Sequence, residues 1–473
     1  MLQSVCDPTP HHSCEQLIYI TTVSKFYVEN FGCRATQADG AALERQLTEK
    51  GLQRVGAANQ AEVVVLNTCT VTSSADQDAR ASIRRIHREN PAAKILVTGC
   101  YAQRAPDEIS KLPGVSIVVG NSHKHAVADI VAGDSSRFVP LSDLAPARGS
   151  AETEVFVGDI FAHTELLAAP VFDSDNAEKT RPNLKVQDGC NNRCSFCIIP
   201  YVRGKSRSLA MHEVLREVDQ LVASGYREIV MSGINLGRWG RDLAAAPDGR
   251  TRFSDLLREI LDRTTVQKIR ISSVEPMDWT NDLIELVAFS PRIAKHAHVP
   301  MQSGSDRILR RMHRRYRPWH YADRLTRIRQ AMPSAAIGAD VMVGFPGETD
   351  ECFEQTRATI ENLPFTYLHV FTYSSRPGTP SAEMPEQVPV QIARERNRIL
   401  RDLAARKKRE FQEQFLGGEL ESVTLTNVVD GRTESLTDNY QKLWLEGEHQ
   451  SNQLVNARIR GIEGDALVGS ITN

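Results

Sequence analysis

The chain has 473 residues, 41% of them hydrophobic and 25% charged, with a formal net charge of −2. Such a composition suits roughly two to four globular domains, and it excludes a disulfide-stapled mini-domain, a disordered chain and a fibrous repeat. No apolar run approaches the roughly 20 residues of a membrane helix.

The start, MLQSVCDPTPHHSCEQ, lacks the basic and apolar regions of a secretory signal. Residues 1–24 read as a disordered leader, in which Cys6, His11, His12 and Cys14 form an accidental cluster. Nine cysteines, an odd number, fit metal binding in a reducing compartment better than a disulfide framework. The expected location is the cytoplasm.

Residues 25–139 read as an α/β domain with an open parallel sheet. FYVEN is a strand, and Asp39 to Lys50 a helix. EVVVLN (62–67) is a continuous apolar run of the kind buried parallel strands carry. Ala75 to Asn90 is helical and stops before Pro91. KILVTG (94–99) and SIVVG (116–120) complete the predicted sheet. Cys33, Cys69 and Cys100 each fall just past the carboxyl end of a predicted strand. In an open parallel sheet those ends share one ligand-binding edge, so three thiols separated in sequence converge there. Gly32 and Gly99 let the backbone bend close to a ligand.

Residues 140–181 lose the pattern and read as a linker with a short hairpin around 154–162. Residues 182–416 read as a second α/β domain, with strands NLKVQ (183–187), EIVMSG (228–233), KIRISS (268–273), AHVPM (297–301), GADVMVGF (338–345) and YLHVFTY (367–373). Six such units predict a partial (β/α)6 barrel. Directly after its first strand comes CxxxCxxC: Cys190, Cys194 and Cys197. Three thiolates with no local fourth ligand leave one metal position open, and iron–sulfur suits this donor set better than zinc. Gly233, Asn235, Ser273, Glu275, Gln302, Ser303 and Gly344 close the following strands on the same edge and are candidate cofactor contacts. Asp340, inside a strand, reads as structural, and Cys352 as a packed free thiol. Arg203 and Arg207 follow the cysteine loop, facing either the cofactor or solvent.

Val390 to Phe415 reads as a long basic helix. Residues 417–473 alternate in strands and predict a small all-β barrel. Charge is uneven: residues 291–330 carry +9 and residues 394–410 carry +5, while 418–473 carry −5. The two basic stretches are either a polyanion face or solvated helix faces. Asn439, Tyr440 and Trp444 are further candidates for RNA contact by stacking.

CxxxCxxC after the first barrel strand resembles the radical S-adenosylmethionine superfamily. The string QDGCNNRCSFCIIPYVRGKSRS, with RISSVEP, HVPMQSGSD, GFPGET and YSSRPGTP, resembles its methylthiotransferases, and 417–473 looks like a TRAM domain. That resemblance implies two 4Fe–4S clusters. One, on Cys190, Cys194 and Cys197, would bind and cleave S-adenosylmethionine; the other, on Cys33, Cys69 and Cys100, would hold the sulfur to be inserted. It implies tRNA as partner, with a flavodoxin- or ferredoxin-like electron donor and a sulfur source. The strings look most like the branch acting on N6-threonylcarbamoyladenosine; isopentenyladenosine, a ribosomal-protein aspartate and a non-enzymatic metal-containing RNA-binding role remain open. Thr36 stands where the family commonly has Asn.

Overall fold

The structure, a computed structural model, describes residues 24–133, 153–162, 180–243 and 251–472. The 1–23 leader with its Cys/His cluster, and most of the 140–181 connection, lie outside the described residues.

The first sheet runs β2-β1-β3-β4-β5-β6, with β1 Lys25–Asn30, β2 Gln53–Arg54, β3 Val63–Thr68, β4 Lys94–Gly99, β5 Val115–Gly120 and β6 Glu154–Phe156. Every pairing is parallel. Val64, Leu66, Ile95 and Val97 pack on the helix Ser73–Glu89 through Ala79, Ile83 and Ile86, while Val65 and Leu96 pack on the other face with Leu43 and Leu47. Covering both faces is what the continuous apolar strands require. The helix expected from Asp39 starts earlier, at Arg34, so it springs directly from Cys33. The hairpin expected at 154–162 is replaced by β6, which adds a sixth strand to this sheet.

The second domain has six parallel strands: β7 Asn183–Asp188, β9 Glu228–Gly233, β10 Lys268–Ile271, β11 His296–His298, β12 Ala336–Val343 and β13 Tyr367–Thr372. They form two arcs, β10-β9-β7 and β11-β12-β13, bridged at Ile269 and Ile293. β8, Arg207–Ser208, lies antiparallel on β7 and ends the first arc. The result is the expected partial barrel. Strands β10 and β11 are shorter than expected, leaving Ser272 to Glu275 and Val299 to Ser303 as loops over the carboxyl edge.

The helix Val390–Glu413 leads to a closed barrel, β14-β15-β16-β18-β17 (Glu419–Val429, Arg432–Thr437, Lys442–Glu446, Ala466–Ile471 and Leu454–Glu463). This barrel docks at the amino ends of the central strands. Buried Arg270 on β10 pairs with Glu228 and donates to the carbonyls of Asp438 (3.0 Å) and Thr437 (3.1 Å). The Tyr440 ring stacks on His296 at 4.2 Å, and Asn439 Nδ2 donates to Ser334 O at 3.2 Å. Asn439 and Tyr440, expected to meet RNA, instead fasten two domains together. Trp444 is covered by Lys442, whose Nζ lies 4.5 Å from the ring centre.

Much of the expected basic face is also used internally. Arg292 and Lys295 each donate to three carbonyls, Arg329 caps the chain at Pro333, Ala335 and Pro364, and Arg314 is buried. Along the long helix, Arg396 is buried against Glu348, and Arg398, Arg406 and Arg409 pair with acids. Arg307, Arg310 and Arg315 stay exposed beside exposed Trp319 and His320, with Arg307 3.9 Å from Glu386 and Arg310 2.9 Å from Asp306.

Candidate metal centres

Cys33, Cys69 and Cys100 meet at the carboxyl edge of the first sheet. Cys33 caps the helix Arg34–Glu49, Cys69 follows β3, and Cys100 opens the helix Cys100–Arg104. Two glycines make the approach possible. Gly32 has φ +95°, and a Cβ there would stand 2.4 Å from Cys69 Cβ and 2.7 Å from its Sγ. Gly99 has φ +102°, and its Cβ would strike Thr68 O at 2.3 Å. Burial, reinforced by Cys100 and Cys33, pushes the Cys69 thiol up to about 12. A buried thiol raised in part by its neighbouring thiols fits a cation-bearing centre, which would reverse the effect.

Cys190, Cys194 and Cys197 lie on the loop after β7. Burial, then Cys194, pushes Cys197 up to about 12, and burial also raises Cys190. Asn192 N–H donates to Cys190 Sγ at 3.4 Å and Asn235 Nδ2 at 3.6 Å. The guanidinium of Arg314 donates to Cys194 Sγ at 3.3 Å and pairs with Glu275. The seventh described cysteine, Cys352, packs elsewhere with Ile308, Met312 and Phe345. Neither triad therefore has a fourth cysteine among the described residues. Nor, among those residues, do three His, Cys, Asp or Glu side chains close to the spacing of a single bound ion.

The two triads share a wall. Cys100 packs with Ile198, Ile199 and Val202 in an apolar cluster against which Cys190, Cys197 and Ile234 also pack. The short helix Ile199–Arg203, two residues after Cys197, supplies most of that wall.

The candidate cofactor contacts divide. Asn235 Oδ1 and Gln302 Oε1 are buried without a protein partner, at the ends of β9 and β11. So is Ser272 Oγ after β10, which the sequence reading passed over for its neighbour. Gln302 has φ +65°, a strained posture for a side chain this large. Gly233 lies against Gln187, where a Cβ would sit 3.0 Å from its Oε1. Ser273 Oγ is 2.7 Å from His298 Nδ1, and His298 Nε2 is 3.4 Å from Asp340, so both belong to a polar chain in the barrel. Ser303 Oγ accepts from Ser305 N at 3.1 Å and sits 3.2 Å from Thr356 Oγ1, a helix-start role. Gly344 lies under Ala393, 2.6 Å from where its Cβ would be, so its small size serves packing of the long helix. Arg203, read as either cofactor-facing or solvent-facing, is 2% exposed.

Residues 25–120 match the sequence profile of an uncharacterised protein family, UPF0004, and residues 184–360 that of the radical SAM superfamily. A threonylcarbamoyladenosine tRNA methylthiotransferase of Bacillus subtilis is 38% identical over 437 residues, covering 90% of this chain and 92% of that protein. The chain belongs to the radical S-adenosylmethionine methylthiotransferase family. An Aquifex aeolicus protein of the same name is 36% identical, covering 92% of this chain and 100% of that protein. A tRNA-2-methylthio-N(6)-dimethylallyladenosine synthase of Saccharopolyspora erythraea is 32% identical over 95% of this chain and 87% of that protein. Among solved structures, the radical S-adenosylmethionine methyltransferase TsrM of Kitasatospora setae matches with TM-score 0.55 at 15% identity, over 76% of this chain and 77% of that one. That likeness concerns the fold. Methylthiotransferases are transferases, and the two cysteine triads of this family member sit within or beside its two matched regions.

Proposed function

We propose that this chain is a tRNA methylthiotransferase acting at C2 of N6-threonylcarbamoyladenosine beside the anticodon. The observation that carries the proposal is the pair of three-thiol sites that meet at one apolar cluster with the helix Ile199–Arg203. Two open centres a helix apart suit a reaction that must activate a carbon and deliver a sulfur to it. Two relatives named for threonylcarbamoyladenosine, at 38% and 36% identity, support this substrate over dimethylallyladenosine at 32%.

Cys190, Cys194 and Cys197 would hold one 4Fe–4S cluster and Cys33, Cys69 and Cys100 another. With S-adenosylmethionine bound, they would supply a hydrogen-abstracting radical, sulfur and a methyl group. The chain's own tasks follow from its geometry. The unpartnered oxygens of Asn235, Ser272 and Gln302 would receive donors from the cofactor, because a buried acceptor left empty costs about 1–3 kcal/mol. Ile198, Ile199 and Val202 keep water from the space between the triads. Asn192 and Arg314 orient the Cys190 and Cys194 sulfurs by donating to them.

Exposed Arg307, Arg310, Arg315, Trp319 and His320 would meet RNA. They flank the cysteine loop, to which His313 is joined through Arg193 O at 3.2 Å. Among the described residues no helix is long and apolar enough to cross a membrane. A flavodoxin- or ferredoxin-like donor and a separate sulfur source would complete the reaction in the cytoplasm.

Anaerobic reconstitution should give about eight iron per chain, falling to about four when Cys33, Cys69 and Cys100 are replaced by Ala. Reduced enzyme with tRNA should yield 2-methylthio-N6-threonylcarbamoyladenosine by mass spectrometry. Product at dimethylallyladenosine, or on protein alone, would overturn the substrate assignment. Zinc in place of iron, with no 5′-deoxyadenosine formed, would overturn the reaction.

A further inference from the structure

Each cysteine triad has its own buried arginine, and the two differ in how far their charge is cancelled. Arg314, at Cys194, is matched by one carboxylate, Glu275. Arg203, on the opposite side of the wall, belongs to a larger network. Its Nη2 donates to Asp39 Oδ2 at 3.0 Å, and its Nη1 to both oxygens of Asp188 at 3.0 and 3.1 Å. Lys124 Nζ reaches Asp39 Oδ2 at 3.0 Å, and Lys185 bridges Asp39 and Asp188. All five side chains are buried. Three basic side chains face two carboxylates; burial pushes Lys124 down, and with Lys124 protonated against Asp39 the network carries +1, or +2 if Arg207, 4.0 Å from Asp188, is included.

The surplus is tied to the first-sheet triad by side-chain contacts at Cys33 and Cys100 and by Asn67 beside Cys69, while on the barrel side Asp188 stands two residues before Cys190. Arg203 Nη2 is 3.5 Å from Thr36 Oγ1, itself 3.5 Å from Cys33 Sγ. Lys124 Nζ donates at 3.2 Å to Asn67 Oδ1, two residues before Cys69. Asn121 Nδ2 lies 3.5 Å from Cys100 Sγ and 2.7 Å from Val202 O, next to Arg203. Arg203 Nε is buried with no protein partner. Burying an uncompensated cation costs several kcal/mol, so such a surplus needs a counter-charge from elsewhere. The nearest one this chain can supply is the thiolates of Cys33, Cys69 and Cys100.

We propose that the Asp39, Lys124, Lys185, Asp188 and Arg203 network is the built-in counter-charge of the Cys33/Cys69/Cys100 centre and holds its reduction potential above that of the Cys190/Cys194/Cys197 centre. This rests on the reading that both triads carry iron–sulfur clusters. Net charge and hydrogen bonds to sulfur are among the quantities that set such potentials. An electron added beside a surplus cation in a low-dielectric site is stabilised; one added beside the neutral Arg314–Glu275 pair gains much less. The chain thereby makes one centre the stronger reductant and the other the better acceptor, with Arg203 a positioning residue for the second.

The test is an EPR-monitored redox titration of reconstituted full-length protein in two backgrounds. Replacing Cys190, Cys194 and Cys197 with Ala leaves the first-sheet centre; replacing Cys33, Cys69 and Cys100 leaves the barrel centre. The first-sheet centre should have the higher midpoint. Arg203→Gln should lower it by at least a tenfold change in the one-electron equilibrium, about 59 mV. Asp39→Asn should raise it, and the two together should return it towards the starting value. The barrel centre should move by a small fraction of this. Lys124→Gln, expected to act like Arg203→Gln, serves if that variant loads no iron or loses its circular dichroism. Equal shifts at both centres, or no shift at the first-sheet centre with full iron, would overturn the proposal. If neither background binds iron, the iron–sulfur reading itself has failed.

Discussion

Arg314 is 7% exposed, yet it holds a full charge because Glu275 and the Cys194 sulfur both accept from it. Removing it strands a carboxylate in a half-buried loop. Arg314→Met should cost about 2 kcal/mol in urea unfolding, at the low end for such pairs because Glu275 keeps some solvent. Arg314→Lys keeps the charge but not the fork, and should recover most of that stability. Gly32 offers a sharper probe. An alanine there must hold φ near +95° and press its Cβ into Cys69. Gly32→Ala should cost about 1–3 kcal/mol and lower iron bound at the first-sheet triad, leaving the barrel triad loaded. Iron analysis in the two Cys→Ala backgrounds reads the difference.

Between residues and domains, the informative elements are those that carry a function away from where their sequence suggests it. Tyr440, in the turn between β15 and β16, stacks on His296 and lies tilted against Tyr367 under the central barrel. Tyr440→Ala should therefore lower the unfolding midpoint by the equivalent of about 3 kcal/mol while leaving tRNA affinity per folded molecule unchanged. Arg315→Ala should do the reverse: unchanged stability, weaker binding, and a salt dependence reduced by about one phosphate contact. The strands built from apolar runs, such as EVVVLN and KILVTG, were legible because burial on both faces leaves a local mark. Strand order likewise foretold that Cys33, Cys69 and Cys100 would meet at one sheet edge. β6 was read as part of a hairpin at 154–162; its pairing instead with β5, far back in the chain, left no local mark. Arg314 was hidden in a basic stretch, because its burial depends on Glu275, 39 residues earlier. Ser272 and Ser273 could not be separated without knowing which one His298 engages.

Across the whole molecule, two buried ionic clusters lock the first domain to the second. One is the Asp39 network; the other joins Asp76 and Thr70 to Arg104 and to Arg376, beyond β13. The two domains should exchange amide hydrogen as one cooperative unit and melt in one transition. Acid should loosen them in a defined window. Burial pushes Asp39 and Asp188 up, but Lys124, Lys185 and Arg203 outweigh it at Asp39, and Arg203, Lys185 and Arg207 at Asp188, so both carboxyls lie below their ordinary range. Their contribution is fully present above the unfolded carboxylate value of about 4 and is lost as pH falls below it towards the folded values. Unfolding followed from pH 7 to pH 2 should show a flat stretch and then a decline confined to the acid end, shallower in Asp39→Asn.

The helix Ile199–Arg203 is a single short turn of chain that serves two centres on two domains. Cysteines of both triads pack on the same few side chains, so a change at Ile199 or Val202 reaches both at once. A nucleoside that reacts between the two triads has to arrive already turned out of its strand, with the base presented edge-on. An anticodon loop, where stacking is cheapest to break, is where such a demand is most easily met.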